Sequence, residues 1–203
     1  MKNIFFLSTL LISLLSIHNM QAQVYVEKGD LKALLSNQNT IGISFTYNNM
    51  SVGKFGAEEN YIAQKVSRYN NIKVGKGHIW QKAWTNDRFC HFQPEFLHSI
   101  TKRTAKTNLQ FLDNTEGTKY TMVVNTDYVD LGFNALIFKK RAQIHTTIKI
   151  VETATNKEVA VIKAAAQSAR YTYSYEDLFS KVRVGQAYKE VGKKLGKYLA
   201  RSL

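Results

Sequence analysis

The chain opens with an apolar run between polar flanks. Three residues that include one lysine precede residues 4–17, which are apolar except for serines and one threonine, and polar residues and the small Ala22 follow. This arrangement is typical of a secretory signal peptide, and the run is too short to span a bilayer comfortably. We therefore expect residues 1–22 to be a cleaved signal peptide and the protein to be exported, either to the periplasm or to the extracellular space.

Alternation of apolar and polar positions predicts four strands. The clearest pattern covers residues 40–47, where every second side chain is apolar, as in a strand with one buried face. Comparable runs occur at 119–128, 140–152 and 158–167. The last two runs are separated by a short polar turn in which Asn156 suits a positive φ angle, so they are expected to form a hairpin.

Apolar residues three and four positions apart predict helices at 30–36, 57–70 and 78–92. Pro94 follows the third of these helices, and proline is well tolerated in the first turn of a new helix. We therefore expect a kinked or two-part helix that continues to about residue 104.

The strongest helical pattern lies at the C-terminal end. Residues 182–199 place a broad apolar stripe opposite an arc of lysines and arginines, and three glycines, Gly185, Gly192 and Gly196, follow the border. Each glycine costs about 1 kcal/mol relative to alanine inside a helix. Three aligned glycines therefore predict the close approach of another backbone, which we expect to be that of the sheet.

These elements predict an α+β fold. Their order is β-α-α-β-β-β-α, which indicates a mixed sheet of at least four strands packed by helices, among them the long amphipathic C-terminal helix. Residues 23–203 have the length of one ordinary globular domain. They contain no run of roughly 18 apolar residues, so no transmembrane segment is expected.

Composition adds a strong positive charge to this picture. The formal net charge of +13 becomes +12 once Lys2 leaves with the signal peptide. Such a charge favours polyanionic partners, and export excludes intracellular nucleic acid. We expect an anionic envelope component or another envelope protein as the partner, with the alternative that the charge serves solubility alone. The basic residues form three groups: Lys102, Arg103 and Lys106; Lys139, Lys140 and Arg141; and an arc on the last helix that includes Lys193 and Lys197.

Several short motifs resemble known proteins. The stretches 50–55, Glu58-Glu59 before Tyr61, 75–77 followed by Trp80 and Trp84, and 132–134 resemble an uncharacterised family of exported bacterial proteins. More distantly, the element order and the turn 152–156 are similar to the envelope group of the curli-secretion lipoprotein CsgG, the TolB N-terminal domain and the penicillin-binding-protein activators. The first resemblance implies no activity, and the second implies an envelope location.

Catalytic signatures are largely absent from the sequence. It contains no nucleophile elbow, phosphate-binding loop, H-E-x-x-H pair or C-x-x-C pair. We therefore favour a non-catalytic binding or interaction protein of the envelope, and no cofactor is expected.

One group of residues carries the alternative of a metal-dependent enzyme or a metal-binding protein. Asp87, His91, Glu95 and His98 are spaced so that a continuous helix would place them on one face, and imidazoles with carboxylates suit zinc. Pro94 breaks the continuity that this site requires. The interpretation favoured by the sequence is a polar flank of a core helix.

Two other features leave alternatives open. Trp80 and Trp84 lie on one helical face and could form a binding platform for carbohydrate or peptide, although core packing explains them as well. Cys90, the single cysteine, is expected to be a buried and inert thiol, with an intermolecular disulfide as the alternative. A self-assembling structural protein, joined through Cys90 or the glycine-bordered helix, is thus a third hypothesis, and the sequence does not determine the oligomeric state.

Overall fold

The computed structural model describes residues 23–113, 115–135, 138–169 and 179–203, so the expected signal peptide lies outside the described residues. The strands and helices are, in chain order, β1 (Gln23–Lys28), α1 (Leu31–Leu35), β2 (Thr40–Thr46), β3 (Ser51–Val52), α2 (Glu58–Ile72), α3 (Lys76–Asp87), α4 (Gln93–Thr104), β4 (Gln110–Leu112), β5 (Tyr120–Asp130), β6 (Phe133–Ala135), β7 (Phe138–Lys140), β8 (Gln143–Glu152), β9 (Glu158–Gln167) and α5 (Ser180–Ser202). Within these ranges, no helix is both long and apolar enough to cross a membrane.

A seven-stranded mixed sheet organises the fold. Its strand order is β1-β9-β8-β5-β2-β4, and β3 pairs with the far end of β5. β5 runs parallel to β2 and antiparallel to β8, while β1 and β8 flank β9 in antiparallel register. The predicted α+β class is confirmed. The sheet is larger than the four predicted strands because it also contains β1, β3 and β4, and the last two are too short to show alternation.

Alternation and turn chemistry explain the central strands. In β8, Ile144, Ile148 and Ile150 are fully buried, whereas His145, Thr147 and Lys149 are more exposed. The turn into β9 places Asn156 at a φ of +56°, a conformation that asparagine tolerates better than most residues. The predicted hairpin is therefore confirmed.

Helix α5 lies beside α4 with almost no space between the two backbones. A Cβ atom on Gly192 would overlap the carbonyl oxygen of Phe96, and one on Gly196 would lie 2.9 Å from the carbonyl oxygen of Ile100. The prediction that the glycines admit the sheet is wrong, because the backbone they admit is that of α4. The sequence pattern showed that a close neighbour exists and could not show which one.

The segment between α3 and α4 is a π-helical turn at Arg88–Phe92, in which the Gln93 N–H donates to the carbonyl oxygen of Arg88. The ring of Pro94 cannot fit against the carbonyl four residues earlier in a regular helix, and the wider turn accommodates it. The prediction of a two-part helix is confirmed. The same turn leaves Cys90 exposed, so the expectation of a buried thiol is wrong.

Replacing Gly192 with alanine is expected to destabilise the protein by about 1–3 kcal/mol, because the new methyl group must displace a backbone carbonyl. Gly185 provides the matched control, since its Cβ would lie 3.3 Å from the carbonyl oxygen of His91 and alanine is the better helix former. Urea unfolding of Gly192→Ala and Gly185→Ala measures both effects. Equal stabilities of the two variants would contradict the packing described here.

Candidate functional site

A groove rich in positive charge lies between the first residues of β1 and the C-terminal half of α5. It has a volume of about 760 Å³. We call it the cationic groove. Its lining residues are Gln23, Val24, Tyr25, Arg103, Lys193, Lys194, Lys197, Tyr198, Arg201 and Ser202.

Two basic groups of the sequence meet in this groove because α4 and α5 pack so closely. Arg103 belongs to the last turn of α4, and a Cβ atom on Gly196 would lie 2.7 Å from its Cβ. The absence of a side chain at Gly196 thus allows Arg103 to lie beside the lysine arc of α5. A second hollow, of about 420 Å³, continues from Arg103 to Lys106.

The charge of the cationic groove is largely uncompensated. No acidic residue of the described chain lines it, and only Lys193 has a salt bridge, at 3.1 Å from Glu190. The other four cations form no ion pair within 4.0 Å among the described residues. Like charges held close together repel each other, and an anion placed among them relieves that repulsion. The arrangement is therefore suited to binding a polyanion.

Two tyrosine rings border the same groove. Tyr25 on the edge strand is 54% exposed and Tyr198 on α5 is 37% exposed. Exposed aromatic rings offer flat apolar faces next to the cations, a combination typical of ligand sites with a few placed polar groups. Neither tyrosine was a predicted site residue, since Tyr25 lies in a strand that the sequence pattern did not predict and Tyr198 belongs to the apolar stripe of the last helix.

The third basic group lies elsewhere. Lys139 and Lys140 are in β7, where Lys140 Nζ lies 2.5 Å from Asp130 Oδ2, and this hydrogen bond raises the pKa of Lys140. The hairpin formed by β6 and β7 adjoins the start of α5, since Arg183 donates to the carbonyl oxygen of Gly132, which directly precedes β6. Lys197 is about 20 Å further along α5 at about 1.5 Å per residue. The structure thus brings together two of the three basic groups, while Lys139, Lys140 and Arg141 remain apart.

The two tryptophans belong to an aromatic cluster. Trp84 is buried, and its indole N–H donates to Glu58 Oε1 at 2.5 Å. Trp80 is half-buried and stacks between Trp84 and Tyr69, with ring centroids 6.3 and 5.9 Å away. Trp84 therefore has a packing role, and a binding role for Trp80 stays a prediction.

Glu58 and Arg88 form an ion pair that the sequence analysis did not find. Arg88 Nη2 donates to both carboxylate oxygens of Glu58, at 2.5 and 2.6 Å, and its guanidinium lies 4.1 Å from the ring centre of Tyr47. Both charged side chains are largely buried. The sequence places Glu58 in the first turn of a helix, where a carboxylate stabilises the helix dipole. Nothing in the sequence indicated that it pairs with Arg88, thirty positions later.

The four residues proposed as metal ligands are only partly brought together. His91 Nε2 lies 3.8 Å from Asp87 Oδ1, whereas Glu95 pairs with Lys189 at 3.4 Å. Burial raises the pKa of Asp87, and His91 opposes that rise. No group of three or more His, Cys, Asp and Glu side chains among the described residues has a geometry that could hold a metal ion. A metal site at Asp87, His91, Glu95 and His98 stays a prediction.

Comparisons with known proteins do not assign a family. No family model matches the chain, and no curated protein matches it. Similar solved structures include the PelC dodecamer from Paraburkholderia phytofirmans, with 6% identity and a TM-score of 0.37 over 85% of this chain and 98% of that one. A DUF330 protein from Xanthomonas campestris has 10% identity and a TM-score of 0.35, over 51% of this chain and 58% of that one. A putative lipoprotein from Caulobacter crescentus has 13% identity and a TM-score of 0.28, over 53% of this chain and 79% of that one.

These likenesses are too weak to carry a functional argument. None of the three structures belongs by name to the curli-secretion, TolB or penicillin-binding-protein activator group that the hairpin turn resembles. The resemblance to that group therefore stays an expectation from the sequence.

The buried ion pair leads to a prediction about stability. Glu58→Gln and Arg88→Met are each expected to destabilise the fold by about 3–5 kcal/mol, because each leaves a charged partner buried without compensation. The double variant is expected to lose less than the sum of the two single losses, since no unpaired charge then remains. Urea unfolding of the four proteins measures the coupling, and additive losses would show that the two side chains do not depend on each other.

Proposed function

We propose that this protein is an exported, non-catalytic binding protein of the cell envelope, and that its cationic groove holds an anionic glycan. The proposal includes cleavage of residues 1–22 and a single α+β domain at 23–203. The observation that carries it is the placement of five cations in one open groove, with no acidic side chain among the described residues that line it.

The shape and chemistry of the groove favour an extended acidic sugar chain. Its cations extend along the C-terminal part of α5 and onto the end of α4, so they can meet successive negative charges of a linear polymer. Tyr25 and Tyr198 offer ring faces on which sugar rings can pack. Exposed charge pairs contribute up to about 1 kcal/mol each, so several pairs are needed for useful affinity, and a polymer supplies them.

The alternative is that these cations only stabilise the C-terminal end of the helix and keep the protein soluble. Positive side chains do stabilise the C-terminal end of a helix, but that effect is confined to the last turn. Arg201 lies in the last turn of α5, whereas Lys193, Lys194 and Lys197 precede it. Helix capping therefore leaves most of the clustered charge unexplained.

Reversing the charge of the groove is expected to abolish glycan binding. The variant Lys194→Glu/Lys197→Glu/Arg201→Glu should bind soluble alginate, a polymer of uronic acids, at least roughly tenfold more weakly than the wild type, because three favourable pairs become repulsive. Wild-type binding should weaken as salt is added and should be absent for uncharged dextran. Calorimetric titration of the exported protein measures all three.

The matched control makes the same change of charge elsewhere. Lys73→Glu/Lys76→Glu/Lys82→Glu alters three exposed lysines of the α2–α3 region and should keep alginate affinity within about twofold. If both triple variants lose binding equally, only the overall charge matters and the groove is not the site. If the wild type ignores alginate at low salt, an acidic glycan is the wrong ligand.

A further inference from the structure

Helices α2 and α3 form an arm whose far end contacts little else in the described part of the chain. They pack mainly on each other, and their side-chain contacts with the rest of the protein include Glu58 with Arg88, Tyr61 with Phe55 and Trp84 with Phe92. Within the described residues, Tyr61 is the only buried residue of α2, and Gly77 and Trp84 are the buried residues of α3. We call this unit the α2–α3 arm.

The arm is built rigidly enough to hold its tip away from the body. Stacked rings lead from Trp84 through Trp80 to Tyr69. Near the tip, a Cβ atom on Gly77 would lie 2.5 Å from the carbonyl oxygen of Val66, so the helices are in close contact there. The Gly77 N–H also donates to Asn70 Oδ1 at 2.9 Å.

The tip presents bare apolar side chains to solvent. Val74 is 91% exposed, Ile79 is 71% exposed and Ile72 is 63% exposed. Single exposed apolar residues are ordinary on a protein surface, but three within eight residues at the turn between α2 and α3 favour burial against something else. Trp80 and Tyr69 stack on each other in the same two helices, and aromatic rings of this kind are common at membrane interfaces.

The charges around the tip have one sign. From Asn60 to Asn86 the sequence contains no aspartate or glutamate and five lysines or arginines. None of the five forms an ion pair within 4.0 Å among the described residues. Apolar side chains surrounded by lysines are typical of surfaces that bind anionic lipid. The five cations are Lys65, Arg68, Lys73, Lys76 and Lys82.

We propose that the tip of the α2–α3 arm docks on an anionic lipid bilayer. Ile72, Val74 and Ile79 enter the boundary between headgroups and acyl chains, and the lysines around them pair with lipid phosphates. Charge complementarity favours an anionic bilayer as the partner of the tip. The cationic groove is less suited to that partner, because a flat surface cannot enter a hollow. The proposal does not depend on glycan binding.

Vesicle co-sedimentation of the exported protein tests this proposal. The wild type should sediment with vesicles of phosphatidylcholine containing phosphatidylglycerol, and roughly tenfold less with phosphatidylcholine alone. Lys73→Glu/Lys76→Glu/Lys82→Glu should reduce binding by roughly tenfold or more, for loss of charge attraction. Ile72→Gln/Val74→Gln/Ile79→Gln should reduce it to a similar extent while the remaining binding stays sensitive to salt.

Two controls separate the tip from other surfaces. The groove variant Lys194→Glu/Lys197→Glu/Arg201→Glu carries the same change of charge, and Phe138→Gln removes an apolar side chain that is exposed to a similar degree. Both should bind vesicles within about twofold of the wild type. All variants share one N-terminus, so any contribution of a hydrophobic leader cancels.

Three results would overturn the proposal. The first is an absence of wild-type binding to anionic vesicles at low salt. The second is equal loss in the groove and tip variants, which would assign the effect to total charge. The third is unchanged vesicle binding of the apolar variant together with a lower mass in analytical ultracentrifugation, which would identify the tip as a contact between copies of this chain.

Discussion

The backbone contact between α4 and α5 is the constraint on which the other features depend. Because Gly192 and Gly196 carry no side chain, α4 can lie directly on α5 with its carbonyl groups against the helix. The ring of Phe92, at the end of the π-turn, then stacks on Tyr188 with centroids 5.2 Å apart. Tyr188 is itself held by a hydrogen bond between its hydroxyl and that of Thr126 in the sheet. This chain of contacts is one of the places where the helical layer is fixed to the sheet.

The contact between α4 and α5 positions side chains at both ends of this helix pair. Toward the C-terminal ends of the helices, the contact sets Arg103 among the lysines of α5 and so creates the concentration of charge in the groove. Toward the π-turn, it orients Arg88, which holds Glu58 and with it the base of the α2–α3 arm. The two surfaces to which we assign binding therefore share one structural origin, although they lie on different elements and differ in shape.

The regular parts of this fold could be predicted from the sequence, since they follow from local periodicity. The strands that became β5, β8 and β9 and the helix that became α5 show clean periods, and Asn156 marks its turn. The strands β1 and β4 take their place at the sheet edges through pairing with distant residues, and no local pattern reveals that.

The sites were less predictable because they depend on which elements become neighbours. Gly192 and Gly196 indicated a close backbone, yet either the sheet or a helix could have supplied it. Lysines on one face of α5 indicated a basic surface. Arg103 joins them only because α4 is the element that packs against α5, which the sequence did not determine. Cys90 was expected in the interior, yet it lies exposed in the π-turn, and no local pattern in the sequence predicts that turn.

The stacked indoles of the arm have a practical consequence. Trp80 and Trp84 are the two tryptophans of the entire chain, and both lie in α3. Intrinsic emission excited at the red edge of protein absorption therefore originates from this single helix, without labelling and without a background from the sheet. One indole is enclosed beside a carboxylate and the other is partly open to water, so a change at the root of the arm or around Trp80 alters this one emission.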